Sequence, residues 1–426
     1  MSLIRTSLLN GIAVVVKVGV AIVLNKILAV LVGPAGYAAI GQFQNALGIA
    51  VSIAGGVLGP GVTKGTAEHF ECEDRQHGVW RTAVRLTLVS TVMASVVIFF
   101  GRAWLAEHLL QRPDMLGVFV GLALALPAIA ANNLLLAILN GKKEVRIFVA
   151  ANIIGSLVSL LLVGILTSTL GLYGALLGLT ISPAAILIAT IMMSWSRKWL
   201  RAAFLFGPPD GPSLRELSGF GLMGITAALT SPLAYIAIRD LLAAELGLQA
   251  AGFWQASFKI SEIYLMMVTL TMSAYYLPRL AEIRFVDEMK VEIRKVYLFV
   301  LPLVVIGSVI MYLWRDFIVV TLFSIEFSPM RELFGWQLTG DVLKVGAWIL
   351  SYIMLARAMV RTFICTEILF AGLFYVLAHL FVKIYGLQGV SMAYAATYAA
   401  YWISMAYLVR IEMQRMSVNK LARAGA

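Results

Sequence analysis

Charge is scarce in this chain of 426 residues: only 13% are Asp, Glu, Lys or Arg, while 61% are apolar and the mean hydropathy is +0.91. A water-soluble core of that length never needs so much apolar surface, which excludes a soluble enzyme or signalling domain and leaves an all-α integral membrane protein. Cysteine is nearly absent. Cys72 and Cys365 are the two present, far apart in topology, so no disulfide framework is expected. Histidine numbers four, and the one grouping with a thiol, His69, Cys72 and His77, reads as the composition of a loop; no metal site is expected. The chain has no Asp-x-Asp. Its nearest approach to a phosphate loop, Gly59 to Thr66, ends Thr-Lys-Gly-Thr where a nucleotide site needs Gly-Lys-Ser/Thr. Catalytic residues, cofactors and ATP are therefore not expected, and glycan polymerisation, which calls for a carboxylate motif or a large outer loop, is the weakest of the alternatives.

What is present begins with apolar runs. Spans of about 20 residues fall at 7–32, 37–67, 80–101, 115–140, 146–168, 172–196, 215–243, 248–277, 296–314, 333–356, 360–382 and 387–410, giving twelve transmembrane helices. Of the 33 Lys and Arg, twenty-three lie in the connections and ends on one side and five in the opposite loops. Because basic residues are retained on the cytoplasmic side, both termini are expected in the cytoplasm, with the first helix a retained anchor. The net charge of +11 is accounted for by this topology and by anionic lipid, so a nucleic-acid partner is not expected.

The chain also repeats itself. Gly33-Pro34-Ala35-Gly36 and Gly247-Leu248-Gln249-Ala250 stand at an offset of 214, as do Ala67-Glu68 and Ala281-Glu282. Gly171-Leu172-Tyr173-Gly174 and Gly386-Leu387-Gln388-Gly389 differ by 215. Two six-helix bundles, 1–206 and 213–426, are expected, joined by the linker 207–212, whose Gly-Pro-Pro-Asp-Gly-Pro run continues neither helix. Six is even, so the copies enter the membrane from the same side, as parallel repeats related by an axis along the membrane normal.

Five cations sit within these apolar spans: Lys17, Lys26, Arg239, Lys259 and Lys344. A cation at the centre of a lone membrane helix costs about 2.5–3.5 kcal/mol, so such side chains turn toward a wet or ligand-filled interior, and cations in excess call for an anionic cargo. Lys17 lies near enough to the surface to snorkel. Lys26, Lys64, Arg239, Lys259 and Lys344 form the expected binding set, with Lys64 placed after a kink at Gly59-Pro60-Gly61. Asp240, Glu262 and Asp341 are the expected counter-ions or ion-coupling groups, since Lys259 with Glu262 and Asp341 with Lys344 share helix faces; either pair could equally be a structural ion pair. Gln42, Gln44, Asn45, Trp254 and Gln255 are expected sugar contacts or, alternatively, interhelical glue.

The segment from Trp336 to Ala347, with Gly33-Pro34-Ala35-Gly36, Gly61-Val62-Thr63-Lys64 and Tyr276-Leu277-Pro278, resembles the Wzx-type flippases of the multidrug/oligosaccharidyl-lipid/polysaccharide (MOP) exporter superfamily, and within them the branch serving enterobacterial common antigen. The resemblance covers essentially the whole chain. It implies a MATE-like fold and alternating access through a cationic cavity, with an undecaprenyl-pyrophosphate-linked oligosaccharide, either lipid III or an O-antigen repeat unit, as cargo. It also implies membrane lipids, a polysaccharide polymerase and a chain-length regulator as partners. Relatives that flip the peptidoglycan precursor use arginines in the first helices, where this chain has Lys17, Lys26 and Lys64. A drug or organic-cation antiporter of the same superfamily is the alternative reading; it would require an acidic lining.

Overall fold

Four glycines determine where the helices turn. A computed structural model describes residues 3–208, 210–283, 285–357 and 359–424, and among these there are helices and no strands. Gly33 (φ 65°, ψ −178°) and Gly247 (φ 88°, ψ 162°) share one left-handed conformation, while Gly171 (φ 57°, ψ −135°) and Gly386 (φ 60°, ψ −139°) share another. These backbone regions are essentially closed to residues carrying a Cβ. The glycine spacing seen in the sequence is thus also a repetition of backbone geometry at these turns.

Turning at those glycines, the chain forms twelve long helices among the described residues: α1 (3–32), α2 (34–53, resuming at Gly59–Glu68), α3 (Glu73–Trp104), α4 (Leu116–Gly141), α5 (145–170), α6 (172–194), α7 (Gly211–Leu246), α8 (Leu248–Thr271, continuing to Glu282), α9 (Val286–Leu313), α10 (Phe334–Ala356), α11 (Val360–Tyr385) and α12 (Gln388–Ala424). Among the described residues, eight continuous helical stretches are long and apolar enough to span a membrane, two of them being the α1–α2 and α5–α6 pairs joined at their glycine turns. The protein is a multi-pass membrane protein. Its α3 and α9 present Val97, Phe100, Leu298, Phe299 and Leu303 outward, which suits acyl chains as solvent.

Boundaries depart from the apolar spans where helices outrun the hydrocarbon. Helix α9 begins at Val286, well before its apolar stretch, because Asp287 and Glu288 complement the positive end of its dipole and backbone hydrogen bonding continues into water. The expected kink at Gly59-Pro60-Gly61 is instead a full break one turn earlier: Gly55 is left-handed (φ 101°), residues 56–58 form a 3₁₀ turn, and Pro60 sits in the first turn of the resumed helix, where its missing N–H costs nothing.

The chain packs as two compact units, Met1–Ile236 and Ala237–Ala426. This division falls inside α7, whose first turns belong with the N-terminal unit: a Cβ at Gly224 would lie 2.8 Å from Val57 Cβ, and Gln42 Nε2 donates to the Ile236 carbonyl at 3.3 Å. Pro209 of the linker lies outside the described residues. Its neighbour Asp210 caps α7, accepting from the Ser213 amide (3.0 Å) and hydroxyl (2.6 Å), and its own amide donates to Thr82 Oγ1 on α3 at 2.9 Å. The Ser213 hydroxyl and amide hold the Asp210 carboxyl below its ordinary 3.8. A depressed folded-state value means that the cap's contribution is complete above the ordinary value and is lost as pH falls through the lower, folded one. Asp210→Ala is expected to cost about 1 kcal/mol and to speed proteolysis of the linker, with Asp210→Asn largely neutral at pH 7.

The second glycine of each Gly-Leu-x-Gly turn has a different job from the first. A Cβ at Gly174 would sit 1.8 Å from the Leu166 carbonyl oxygen and one at Gly389 would sit 2.2 Å from that of Phe381, again at offset 215, whereas a Cβ at Gly171 or Gly386 meets nothing within 4 Å. Gly171→Ala and Gly386→Ala are therefore expected to cost only conformational strain, about 1–3 kcal/mol. Gly174→Ala and Gly389→Ala strike backbone that cannot rotate away and should cost more; thermal unfolding of the purified variants measures the order.

Candidate functional site

Helix α10 carries its two opposite charges one turn apart, and the structure sends them to different partners. Asp341 is fully buried and accepts three hydroxyl hydrogen bonds: from Ser261 (2.6 Å) and Tyr264 (2.9 Å) on α8, and from Tyr394 (2.9 Å) on α12. Gln337, a turn earlier, donates to Ser261 Oγ at 3.2 Å and closes the network. A carboxylate so supplied stays hydrogen-bonded without help from a lysine.

Lys344, 8% exposed, instead places its ammonium among four rings: 4.9 Å from the centroid of Trp348, 5.2 Å from Tyr398, 5.5 Å from Tyr394 and 5.8 Å from Phe258. Each ring face attracts a cation by its quadrupole, worth about 0.5–2 kcal/mol according to desolvation. No carboxylate of a described residue forms an ion pair with it, although Asp341 and Glu367 lie within electrostatic range. The aromatic cage thus sustains a buried positive charge without neutralising it.

Two glycines explain how α10 and α12 approach closely enough to build this. A Cβ at Gly340 would lie 2.3 Å from Tyr394 Cδ1, and one at Gly346 would lie 2.8 Å from Trp402 Cε2. With Gly340 bare, the Tyr394 ring lies on the helix backbone, so its hydroxyl reaches Asp341 while its face meets Lys344. Beyond it, Tyr297 donates to the Gly346 carbonyl (2.6 Å) and accepts from Trp402 Nε1 (2.8 Å), locking α9, α10 and α12.

A second buried cation stands at the other end of a row of rings. Arg239 on α7, 2% exposed, donates to Gln255 Oε1 and lies 5.8 Å from the Trp254 ring; Trp254 is 5.8 Å from Phe258, which borders Lys344. Arg239, Trp254, Gln255, Asp341 and Lys344, five of the residues singled out in the sequence, are thereby brought into one cluster. Asp240 is partly buried beside Arg239. Lys259 and Glu262 form the i,i+3 ion pair at 2.8 Å, toward the exposed side of α8. The sequence reading missed the cage walls and the hydroxyl ring. Tyr394 and Tyr398 at i,i+4 on α12 were the available signal, masked by a chain with 15 tyrosines.

In the N-terminal unit Lys26 is partly buried next to Asn25, whose Oδ1 accepts from Tyr37 at 2.9 Å across the Gly33 turn. Gln44 is partly buried, and Asn45 holds a buried amide nitrogen with no hydrogen-bond partner among the described residues. Lys64 and Lys17 are exposed, Lys64 pairing with Glu68 at 3.9 Å. Cys72 and Cys365 are free thiols, and no metal-binding cluster occurs among the described residues.

The fold is that of membrane transporters of the MOP superfamily. A MATE-family multidrug resistance transporter in its inward-facing conformation superposes with a TM-score of 0.79 at 15% identity, covering 95% of this chain and 99% of that one; an outward-facing structure of a MATE-family multidrug resistance transporter gives 0.69 at 15% identity, covering 95% and 96%. In sequence the chain belongs to the polysaccharide biosynthesis protein family, whose pattern matches residues 3–284. The lipid III flippases of Escherichia coli (strain K12) and Shigella flexneri are each 34% identical to it over 402 residues, 94% of this chain and 97% of theirs. These relatives are transporters, not enzymes.

Proposed function

We propose that this protein is a flippase that carries a polyprenyl-diphosphate-linked oligosaccharide, of the lipid III or O-antigen class, from the cytoplasmic to the periplasmic leaflet of a bacterial inner membrane. The observation that carries the reading is Lys344: a buried ammonium held by ring faces and, among the described residues, without an ion-paired carboxylate. A diphosphate diester bears about two negative charges and cannot cross about 30 Å of hydrocarbon unaided. Lysine offers it a point charge that can be surrendered again, where a guanidinium would grip it in two places. Arg239, Lys26 and Lys64 complete the basic set in this proposal, Lys64 meeting Glu68 only at 3.9 Å whereas Lys259 is closely paired with Glu262 at 2.8 Å. Asp240 and Asp341 serve as counter-ions or ion-coupling groups. Trp254, Gln255, Gln42, Gln44 and Asn45 contact sugar.

Transport proceeds by alternating access, the repeat lobes 1–206 and 213–426 rocking about the linker, with both termini in the cytoplasm. An inside-negative potential favours outward movement of each negative charge by about 2.3 kcal/mol per 100 mV, so no nucleotide is required. A polymerase and a chain-length regulator act on the product on the far side. The test is leaflet exchange of a lipid-linked oligosaccharide by the purified protein in liposomes. Exchange without glycan growth is the expected result. Chain growth would make the protein a polymerase, and exchange of organic cations alone would make it a drug antiporter.

A further inference from the structure

Helix α4 ends in a way that ordinarily requires glycine. The Glu144 amide donates to the Leu139 carbonyl and the Lys143 amide to that of Asn140, both at 3.0 Å. This is the Schellman pattern, whose C′ position is left-handed and is normally glycine. Here C′ is Lys143, at φ 60°. A helix C-terminus welcomes cations for its dipole, which explains charge nearby but not a lysine at the one strained position.

The strain has a visible product. Lys143 Nζ lies 5.3 Å from the centroid of Phe70, and Lys142 Nζ lies 5.6 Å from the same ring and 5.5 Å from Trp80. Phe70 is 46% exposed, at the turn after α2. Lys142 is held from behind by Gln76 Oε1 at 2.7 Å. Gln76 in turn donates to the Thr66 carbonyl (2.7 Å), and Trp80 donates to Thr66 Oγ1 (2.9 Å), all three residues being fully buried. Gly141 fits against this scaffold only because it lacks a Cβ, which would come 2.6 Å from Thr66 Cβ. Two of the neighbouring acids are engaged elsewhere, Glu144 with Arg197 at 3.2 Å and Glu68 with Lys64 at 3.9 Å. Neither ammonium is ion-paired to a described residue.

We propose that Lys142, Lys143 and Phe70 form a binding site for the phosphate headgroup of an anionic lipid at one face of the membrane. The two ammoniums take the phosphate oxygens, and the exposed ring lies at the boundary of headgroup and acyl chain. On the topology proposed above this face is cytoplasmic, so the site receives diphosphate lipid before it enters the interior. The inference rests on the functional reading only for that direction of travel.

The test uses the full-length protein in phosphatidylcholine nanodiscs in a Lys344→Gln background, which removes the caged ammonium of the proposed transport site, while any binding left to Arg239, Lys26 and Lys64 is common to every variant compared. Farnesyl diphosphate binding is titrated, and inorganic pyrophosphate is tried as competitor. Each of Lys142→Gln and Lys143→Gln should weaken binding about 5-fold, and the pair about 25-fold. Competition by pyrophosphate would show that free phosphate suffices, and its failure to compete would show that the lipid form is required; both support the site. A third variant, Lys143→Gly, removes strain and charge together: it should raise the melting temperature by roughly 2 °C and still weaken binding. Undiminished binding in Lys143→Gly or in the double variant, or no binding in the Lys344→Gln background, would overturn the proposal.

Discussion

Lys344→Ala should abolish export of the lipid-linked glycan while leaving the protein folded and present in the membrane at wild-type abundance. The side chain is not holding the fold together through an ion pair: its partners are the faces of Trp348, Tyr398, Tyr394 and Phe258, and Phe258 also packs against Trp254 while Tyr394 packs against Phe374 and Tyr398. Removing one partner of a buried ion pair would strand the other charge at a cost of about 3–5 kcal/mol. Asp341 escapes that penalty, since three hydroxyls already serve it. What disappears is the charge that meets the diphosphate, and hydrogen bonds to charged groups are worth about 1.5–3 kcal/mol, or about 10- to 100-fold in affinity. Lys344→Arg keeps the charge and the stacking on rings and should retain part of the activity. Lys344→Glu places a carboxylate among negative ring faces, near Asp341 and Glu367, and should be inactive. Complementation of a flippase-null strain, with membrane abundance measured in parallel, checks the series.

The second large effect is expected at a residue that touches no cargo. In Gly340→Ala the new Cβ would lie 2.3 Å from a ring carbon of Tyr394, which is fully buried and cannot swing away. Displacing that ring breaks its hydrogen bond to Asp341 and withdraws one wall of the Lys344 cage in a single step. Overpacking of this kind costs about 1–3 kcal/mol, and a buried carboxylate losing one of its donors adds about as much. Gly346→Ala strikes Trp402 at 2.8 Å and so overpacks the same helix pair without touching Asp341 or Lys344. Destabilisation of both variants, greater in Gly340→Ala, with transport lost only there, is the expected pattern. Tyr394→Phe refines it by deleting the hydroxyl while keeping the ring, and should leave the cage in place with Asp341 one donor short.

The all-helical membrane fold was legible because period and length of apolar runs respond to the bilayer, which imposes one dimension on every span. The repeat was legible because glycines at Gly33, Gly171, Gly247 and Gly386 are required by backbone conformation alone, a constraint that survives when side chains around it change. Lys344, Asp341 and Arg239 announced themselves by the cost of placing charge in hydrocarbon. What the sequence could not supply was which partner each charge chose. Spacing put Asp341 and Lys344 on one face and invited an ion pair, yet Ser261 and Tyr264 from α8 and Tyr394 from α12 claimed the carboxylate first, contacts that span as many as eighty residues of sequence. Lys259 with Glu262 shows the contrast: there the partner is local, and spacing alone identified it. Gly340 looked like an ordinary member of an apolar helix, and only the Tyr394 ring lying against it reveals why no larger residue fits.

The central claim is that the caged Lys344 ammonium remains available to an anion. Its most direct test is the affinity of the purified wild-type protein for a soluble short-chain polyprenyl diphosphate, compared with Lys344→Gln and with Lys259→Gln as the control whose lysine is already ion-paired. Because the face site at Lys142 and Lys143 also binds diphosphate, the comparison is made with both of those lysines replaced by glutamine throughout. A loss of about 10-fold or more confined to Lys344→Gln is the result expected here. Equal affinity in Lys344→Gln and its parent would contradict the account.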